Sequence, residues 1–239
     1  MSKQNIFFDR DRYEKVLAWC NANGVVPQIS KLRVSEQLVN GQGLYRFDIK
    51  KEKANTLAGE IGLDRNDLFI PFAIGVLLQI DATTPTGKTP LLSYPVKASA
   101  AADGFLTSDI EALYNGNLSI VFDQTEINAS FPLELFKHVP QAQPCVTVGS
   151  DSTAISTGIV PEFDIQDILV PLAPAYYIQG TFDSKITINF NGNGSNFAIA
   201  SATAPTTEDA TKAARIVLYM NGVLVKGAAE KAKINALKL

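Results

Sequence analysis

The spacing of apolar and polar positions changes once along this chain, near residue 24. Before that point Tyr13, Val16, Leu17 and Cys20 fall at i, i+3, i+4 and i+7, and Trp19 widens the stripe. This is one face of an α-helix. Asp9 and Asp11 suit the positive end of a helix dipole, and Asn23-Gly24 is a stop signal, so a helix over residues 9–22 is expected. A helix with a single apolar face must dock, either on its own domain or on a neighbouring subunit.

After residue 24 the period falls to two. Tyr45, Phe47 and Ile49 alternate with Arg46 and Asp48, as in a half-buried strand. Val34–Leu38 and Leu44–Ile49 flank the turn-rich Asn40-Gly41-Gln42-Gly43. Residues 51–63 suit a short helix. Leu68–Ile80 is a long apolar run, and Pro71 and Gly75 within it favour one bent strand or two short ones. Residues 82–90 read as a loop, 91–97 as a strand and 98–116 as a second helix closed by Asn115-Gly116. Leu118, Ile120 and Phe122 then alternate again, and Ile127, Ala129 and Phe131 continue in a paired strand.

The second half is more plainly β. Strands are expected near 145–149, 154–160, 166–171, 176–182, 185–190, 195–202, 214–220 and 223–227. Asn221-Gly222, between the last two, is a strong two-residue hairpin signal. Short strands with turn signals every 8–12 residues argue for a sandwich or barrel. A jelly roll has eight strands, and each half supplies about that number. The expected fold is all-β with minor helices, arranged as two tandem jelly-roll β-sandwiches. The expected units are an N-terminal helical arm over 1–24, a first sandwich over 25–140 and a second over 141–239 with a basic C-terminal tail. One larger β-sandwich with helical insertions is the alternative.

Composition narrows the function. Apolar residues make up 46% of the chain, enough for a packed core, and charged residues only 19%, against a usual share of about 25%. The charge is segregated. Residues 1–100 carry 13 basic and 10 acidic side chains, residues 101–211 carry two and 13, and residues 212–239 carry six and one. An acidic body with a basic end suits head-to-tail self-association or opposite signs turned to different surroundings, and an acidic solvent face with a frayed tail gives the same pattern. No apolar run of signal-peptide or membrane-spanning length is present in the sequence, so use without secretion by the usual route is expected.

Each chemical motif falls short of its requirements. Gly87-Lys88-Thr89 resembles the end of a phosphate-binding loop. The position five residues before Gly87 is Ala82 where glycine is needed, and Pro85 and Pro90 bracket the fragment where a helix should begin. His138, the single histidine, has Cys145 seven residues on, but Pro140 and Pro144 intervene and no third group is indicated. Cys20 and Cys145 allow one disulfide but nothing requires it, and they read as buried free thiols. Glu162, Asp164 and Asp167 form an acidic cluster better suited to a solvated strand edge than to calcium. The Asn-x-Ser sequences at Asn117, Asn128 and Asn193 read as chance. Lys226, Lys231, Lys233 and Lys238 make the tail basic, with alanines spaced for a small docking helix and weak contact with nucleic acid or a membrane as the other reading. No catalytic residue, cofactor, metal or small-molecule substrate is expected.

The segments PAYYIQGTFDSKITINF (174–190), ARIVLYMNGVLVKG (214–227) and EALYNGNLSIVFDQTEINASFPLELFKHVP (111–140) resemble the virion shell proteins of bacteriophages. The likeness lies in small polar loops, Asn-Gly turns, few charges and paired strands. The nearest family is the jelly-roll capsid proteins of tailless phages, particularly those with two jelly rolls per chain. The resemblance implies a self-assembling capsid subunit in the virion, with a trimeric capsomer and other shell proteins as partners. A ligand-binding sandwich for carbohydrate or host recognition is the alternative. It requires exposed aromatics, for which Tyr94, Tyr114, Tyr176 and Tyr177 are the candidates.

Overall fold

The structure is a computed structural model and describes residues 10–50, 60–84, 89, 91–93, 113–122, 125–138, 141–148, 155–162, 168–172, 176–181, 184–190, 197–199, 201 and 207–234. Helix α1 (Arg10–Asn23) is the element expected from the stripe. The Asn23 side-chain amide donates to the Trp19 carbonyl at 2.8 Å, and Gly24 leaves the helix with φ of 61°. The strands, in chain order, are β1 (Pro27–Gln37), β2 (Leu44–Phe47), β3 (Leu68–Ala82), β4 (Leu91–Leu92), β5 (Asn117–Phe122), β6 (Thr125–Pro132), β7 (Gln141–Val148), β8 (Ile155–Glu162), β9 (Val170–Pro171), β10 (Ile178–Gln179), β11 (Ser184–Asn189) and β12 (Lys212–Val225). A short helix α2 (Ala229–Ile234) follows. The expected helices at 51–63 and 98–116 fall largely outside the described residues.

Two antiparallel sheets carry the fold. The larger runs β1-β12-β3-β10, with β4 and β9 also pairing with β3, and the smaller runs β2-β11-β5-β6. β7 and β8 form a separate hairpin. Their inner faces meet in one core. Leu32, Val34, Ile74, Val76, Leu78, Ile216, Leu218 and Met220 from the larger sheet face Tyr45, Phe47, Leu118, Ile120, Ile186 and Ile188 from the smaller. Burying each such side chain contributes about 1.5–3 kcal/mol before entropy is counted, so this double layer dominates stability.

The strands pair like a folded ribbon. β5 and β6 make the closed end, β3 pairs with β10, β2 with β11, and β1 with β12 along its whole length, from Pro27↔Val225 to Gln37↔Arg215. The ribbon then wraps, so that β12 also pairs with β3 and β11 also pairs with β5.

This pairing corrects the expected division at residues 140/141. β1, β2 and β3 lie before that point, and their partners β12, β11 and β10 lie after it. The two halves therefore share both larger sheets. The strand count overran for two reasons. β4, β9 and β10 are two-residue pairings, and the segments read as separate strands at 214–220 and 223–227 are one strand, β12.

Asn221-Gly222 is accordingly not a hairpin turn. It sits inside β12 where the register with β3 shifts: Asn221 lies opposite Ala73 and Gly222 opposite Pro71, leaving Phe72 as the extra residue. An extra residue reverses which side chains face which way. Ile74, Val76 and Leu78 point into the sandwich, whereas Leu68, Ile70 and Phe72 belong to the cluster beneath α1. Pro71, which lacks a donor, is tolerated at this irregularity. β3 thus stays one 15-residue strand through Pro71 and Gly75.

Of the helical arm expected over residues 1–24, the described part, residues 10–24, is also corrected. Val16 and Cys20 are fully buried against Leu68, Ile70, Phe72, Val223, Val225 and Ala228, with Tyr13 and Trp19 packed alongside. α1 therefore covers the outer face of its own larger sheet. Lys231 of α2 donates to the Asn23 carbonyl at 2.8 Å, placing a positive charge at the negative end of α1.

Candidate functional site

The residues singled out from sequence do not converge. Thr89 is tied to β3, accepting from the Gln79 side-chain amide on both its carbonyl and hydroxyl oxygens at 3.0 Å. Gly87 and Lys88 lie outside the described residues. His138 is anchored through its backbone: its N–H donates to the Ser93 carbonyl at 3.2 Å, and its carbonyl accepts from the Ser93 hydroxyl at 2.8 Å. Cys145 lies in β7 and Glu162 ends β8, while Asp164, Asp167 and Asn193 fall outside the described residues. Asn117 opens β5 and Asn128 lies in β6. Lys226 and Lys231 are exposed, and Lys231 serves α1. Lys238 lies outside the described residues and Lys233 falls in α2.

Among the described residues the tyrosines do not form an exposed platform. Tyr114 and Tyr176 are buried, and Tyr177 packs against the cluster beneath α1. Tyr94 lies outside the described residues. Burial holds the hydroxyls of Tyr114 and Tyr176 well above the ordinary tyrosine range.

Three features emerge that the motif search missed. The first is a polar array on the outer face of the larger sheet. Arg33 of β1 donates to the Gln79 side-chain oxygen at 3.2 Å, and Arg215 of β12 donates to that of Gln37 at 3.3 Å. Glu60 accepts from the Ser35 N–H at 2.9 Å and from its hydroxyl at 2.6 Å. Burial lowers the pKa of both arginines, opposed by Glu60 and Asp81. The Nε atoms of Arg33 and Arg215 are buried without a hydrogen-bond partner. Burial, followed by repulsion from Glu60, raises the Glu36 carboxyl. Alternation in the three strands puts Arg33, Ser35, Gln37, Gln79 and Arg215 on one face, but which strands are neighbours is not written in the local sequence.

The second feature is an open cleft of about 360 Å³ at the end of the sandwich, lined among others by Gln37, Asn40, Thr83, Phe197, Glu208 and Lys212. Much of its polar lining is already engaged. Asn40 accepts from the Phe197 N–H at 2.8 Å, the Thr83 N–H donates to the Thr211 carbonyl at 2.8 Å, and Lys212 lies 3.9 Å from Asp209.

The third is the outer edge of the larger sheet among the described residues. β1 is its outermost strand. Arg33 exchanges backbone hydrogen bonds with Ile61 at 2.9 and 2.8 Å on that edge. By the alternation of a strand, Ile29 and Lys31 also turn their backbone N–H and C=O groups outward. Beside them Ile29 is 69% exposed and Val26 73%. Lys31, the residue type that normally guards an edge, lies with its ammonium 5.8 Å from the ring centre of Tyr219 on the neighbouring strand. Among the described residues no group of three or more His, Cys, Asp or Glu side chains is placed to hold a metal ion, and no helix is long and apolar enough to cross a membrane. The chain matches no protein-family model and no curated protein.

Proposed function

We propose that this chain is a single-jelly-roll subunit of a bacteriophage shell, acting in the virion by self-association. The observation that carries the reading is the pairing order. Taking the eight principal positions in sequence, with β9 and β10 sharing the sixth, the sheets run 1-8-3-6 and 2-7-4-5. That order arises when an antiparallel ribbon is wrapped into two sheets, the jelly-roll arrangement found in viral capsid and lectin domains and in cupins. The resemblance of residues 111–140, 174–190 and 214–227 to phage shell proteins favours the capsid branch, and so does the low share of charged residues. A trimeric capsomer follows from that resemblance, with other shell proteins as further partners. The basic tail is the element for any weak contact with nucleic acid or membrane.

A carbohydrate-binding or host-recognition sandwich is the second reading. The cleft at Asn40 and Lys212 favours it, and the burial of Tyr114 and Tyr176 weighs against it. Light scattering and negative-stain microscopy on the purified chain discriminate. Closed shells or stable trimers are expected. A strict monomer that binds glycans overturns the shell reading.

A further inference from the structure

We infer that the cleft at the end of the sandwich binds a neutral, polyhydroxylated ligand, a terminal sugar unit of a glycan. This goes beyond self-association, because it gives each subunit a ligand whether or not the subunit assembles.

The cleft is formed by the fold itself. Its walls come from the end of β1, the residue after β3, residues 197–199 and the stretch entering β12. Backbone bonds lace these together: the Leu38 N–H donates to the Ala214 carbonyl at 2.9 Å, the Thr83 N–H to Thr211 at 2.8 Å and the Asp209 N–H to Ile199 at 2.8 Å. Leu38, Phe197 and Ile199 are buried and give the lining an apolar base, and Val39, 48% exposed, adds apolar surface. A volume of about 360 Å³ lies at the small end of ligand sites, which span about 300–1,000 Å³, so the occupant is small.

Bonds within the protein fix what is left for a ligand. The Asn40 side-chain oxygen accepts from the Phe197 N–H at 2.8 Å, and that of Gln37 accepts from Arg215 at 3.3 Å. Each amide is thereby oriented, with its oxygen used and its NH2 group still a donor. The Thr83 hydroxyl and the Glu208 carboxylate are exposed and make no hydrogen bond among the described residues. The charge of the lining is balanced. Glu208 and Lys212 carry one of each sign, and the Lys212 ammonium lies 3.9 Å from Asp209, so neither a lone anion nor a lone cation is favoured. Two amide donors, a hydroxyl and a carboxylate beside apolar surface match a sugar ring. Its hydroxyls both donate and accept, and its ring face presents C–H groups. Phe197, the aromatic residue of the lining, is buried and offers no stacking platform, so affinity for a single sugar is about millimolar.

The test uses the full chain. The probes are the methyl glycosides of glucose, galactose, mannose and N-acetylglucosamine, with glycine, acetate and inorganic phosphate as charged controls. Saturation-transfer NMR reports contact, and calorimetric titration reports affinity. At least one glycoside should bind, and the charged controls should not. Thr83→Val should weaken that binding about three- to tenfold, and Glu208→Gln about tenfold or more. Neither side chain bonds to the described residues, so circular dichroism and light scattering of both variants should match wild type. Glu230→Gln, the same change of charge in α2, should leave binding intact. Silence from all four glycosides overturns the inference, and binding of glycine or phosphate in their place overturns the ligand class. Glycoside binding untouched by both cleft variants overturns the site. Each of these results leaves the shell reading standing. A strict monomer that binds a glycoside through this cleft overturns the shell reading and upholds the inference.

Discussion

Gly222→Ala tests the architecture at its most informative position. Gly222 is a buried residue of β12, beside the extra residue Phe72 of β3. A Cβ built on Gly222 meets the Ile70 carbonyl oxygen head-on and lies 2.9 Å from both the Ile70 carbonyl carbon and the Pro71 Cα. All three are backbone atoms of a central strand, so no side chain can swing aside. Overpacking of a well-packed interior costs about 1–3 kcal/mol and occasionally more. Gly222 is not among the glycines with positive φ, so alanine returns about 0.4–1 kcal/mol through the unfolded chain. Backbone conflict on this scale belongs at the upper end, giving a net loss of about 2–3 kcal/mol. For a chain of this length that lowers Tm by roughly 4–12 °C. Gly24→Ala is the control. It has φ of 61° and nothing within 4 Å of an added Cβ, so it should cost only about 1 kcal/mol, from the left-handed backbone. Urea unfolding monitored by circular dichroism supplies both differences, with unchanged m values licensing the comparison. If Gly222→Ala lies within about 0.5 kcal/mol of wild type, the packing of β12 against the irregularity in β3 is wrong.

Other consequences are open to direct measurement. Val16→Ala should destabilise the single chain by about 2 kcal/mol, because Val16 is fully buried beneath α1; unchanged unfolding would return α1 to the role of an arm for neighbours. Cys20 is buried, and burial raises its thiol above the ordinary range, so a thiol reagent should label it only after denaturation. Rapid labelling in the native state would refute the docking of α1. Glu36 has its carboxyl raised by burial and by Glu60. A carboxyl raised in the folded state favours folding below its unfolded pKa, and that contribution is lost as pH rises through the folded value. Glu36→Gln should therefore be the more stable form at neutral pH, with its advantage shrinking as pH falls; a pH-independent difference would refute the assignment.

Local patterns determined the elements well. The i, i+3, i+4, i+7 stripe located α1 to within a residue at each end, because helical neighbours lie close in sequence. Alternation correctly marked Tyr45 and Phe47 in β2 and Ile186 and Ile188 in β11 as facing the core. The same signals failed where meaning depends on a distant partner. Asn221-Gly222 carries the composition of a turn, and only the approach of Ile70 and Pro71 makes Gly222 a place where two backbones need room. Pro71 reads as a strand breaker until Phe72 absorbs the register shift.

The tertiary structure alone decided that the chain's ends pair with each other. β1 and β12 lie on neighbouring strands although nearly the whole chain separates them, and so one core forms where strand counting gave two. That pairing set Arg33, Gln79 and Arg215 side by side and put β1 at the edge of the larger sheet among the described residues. Burial and local backbone geometry leave a mark on each residue in turn. Strand neighbourhood is a relation between segments far apart in sequence, and it is settled only when both sheets close over a common core.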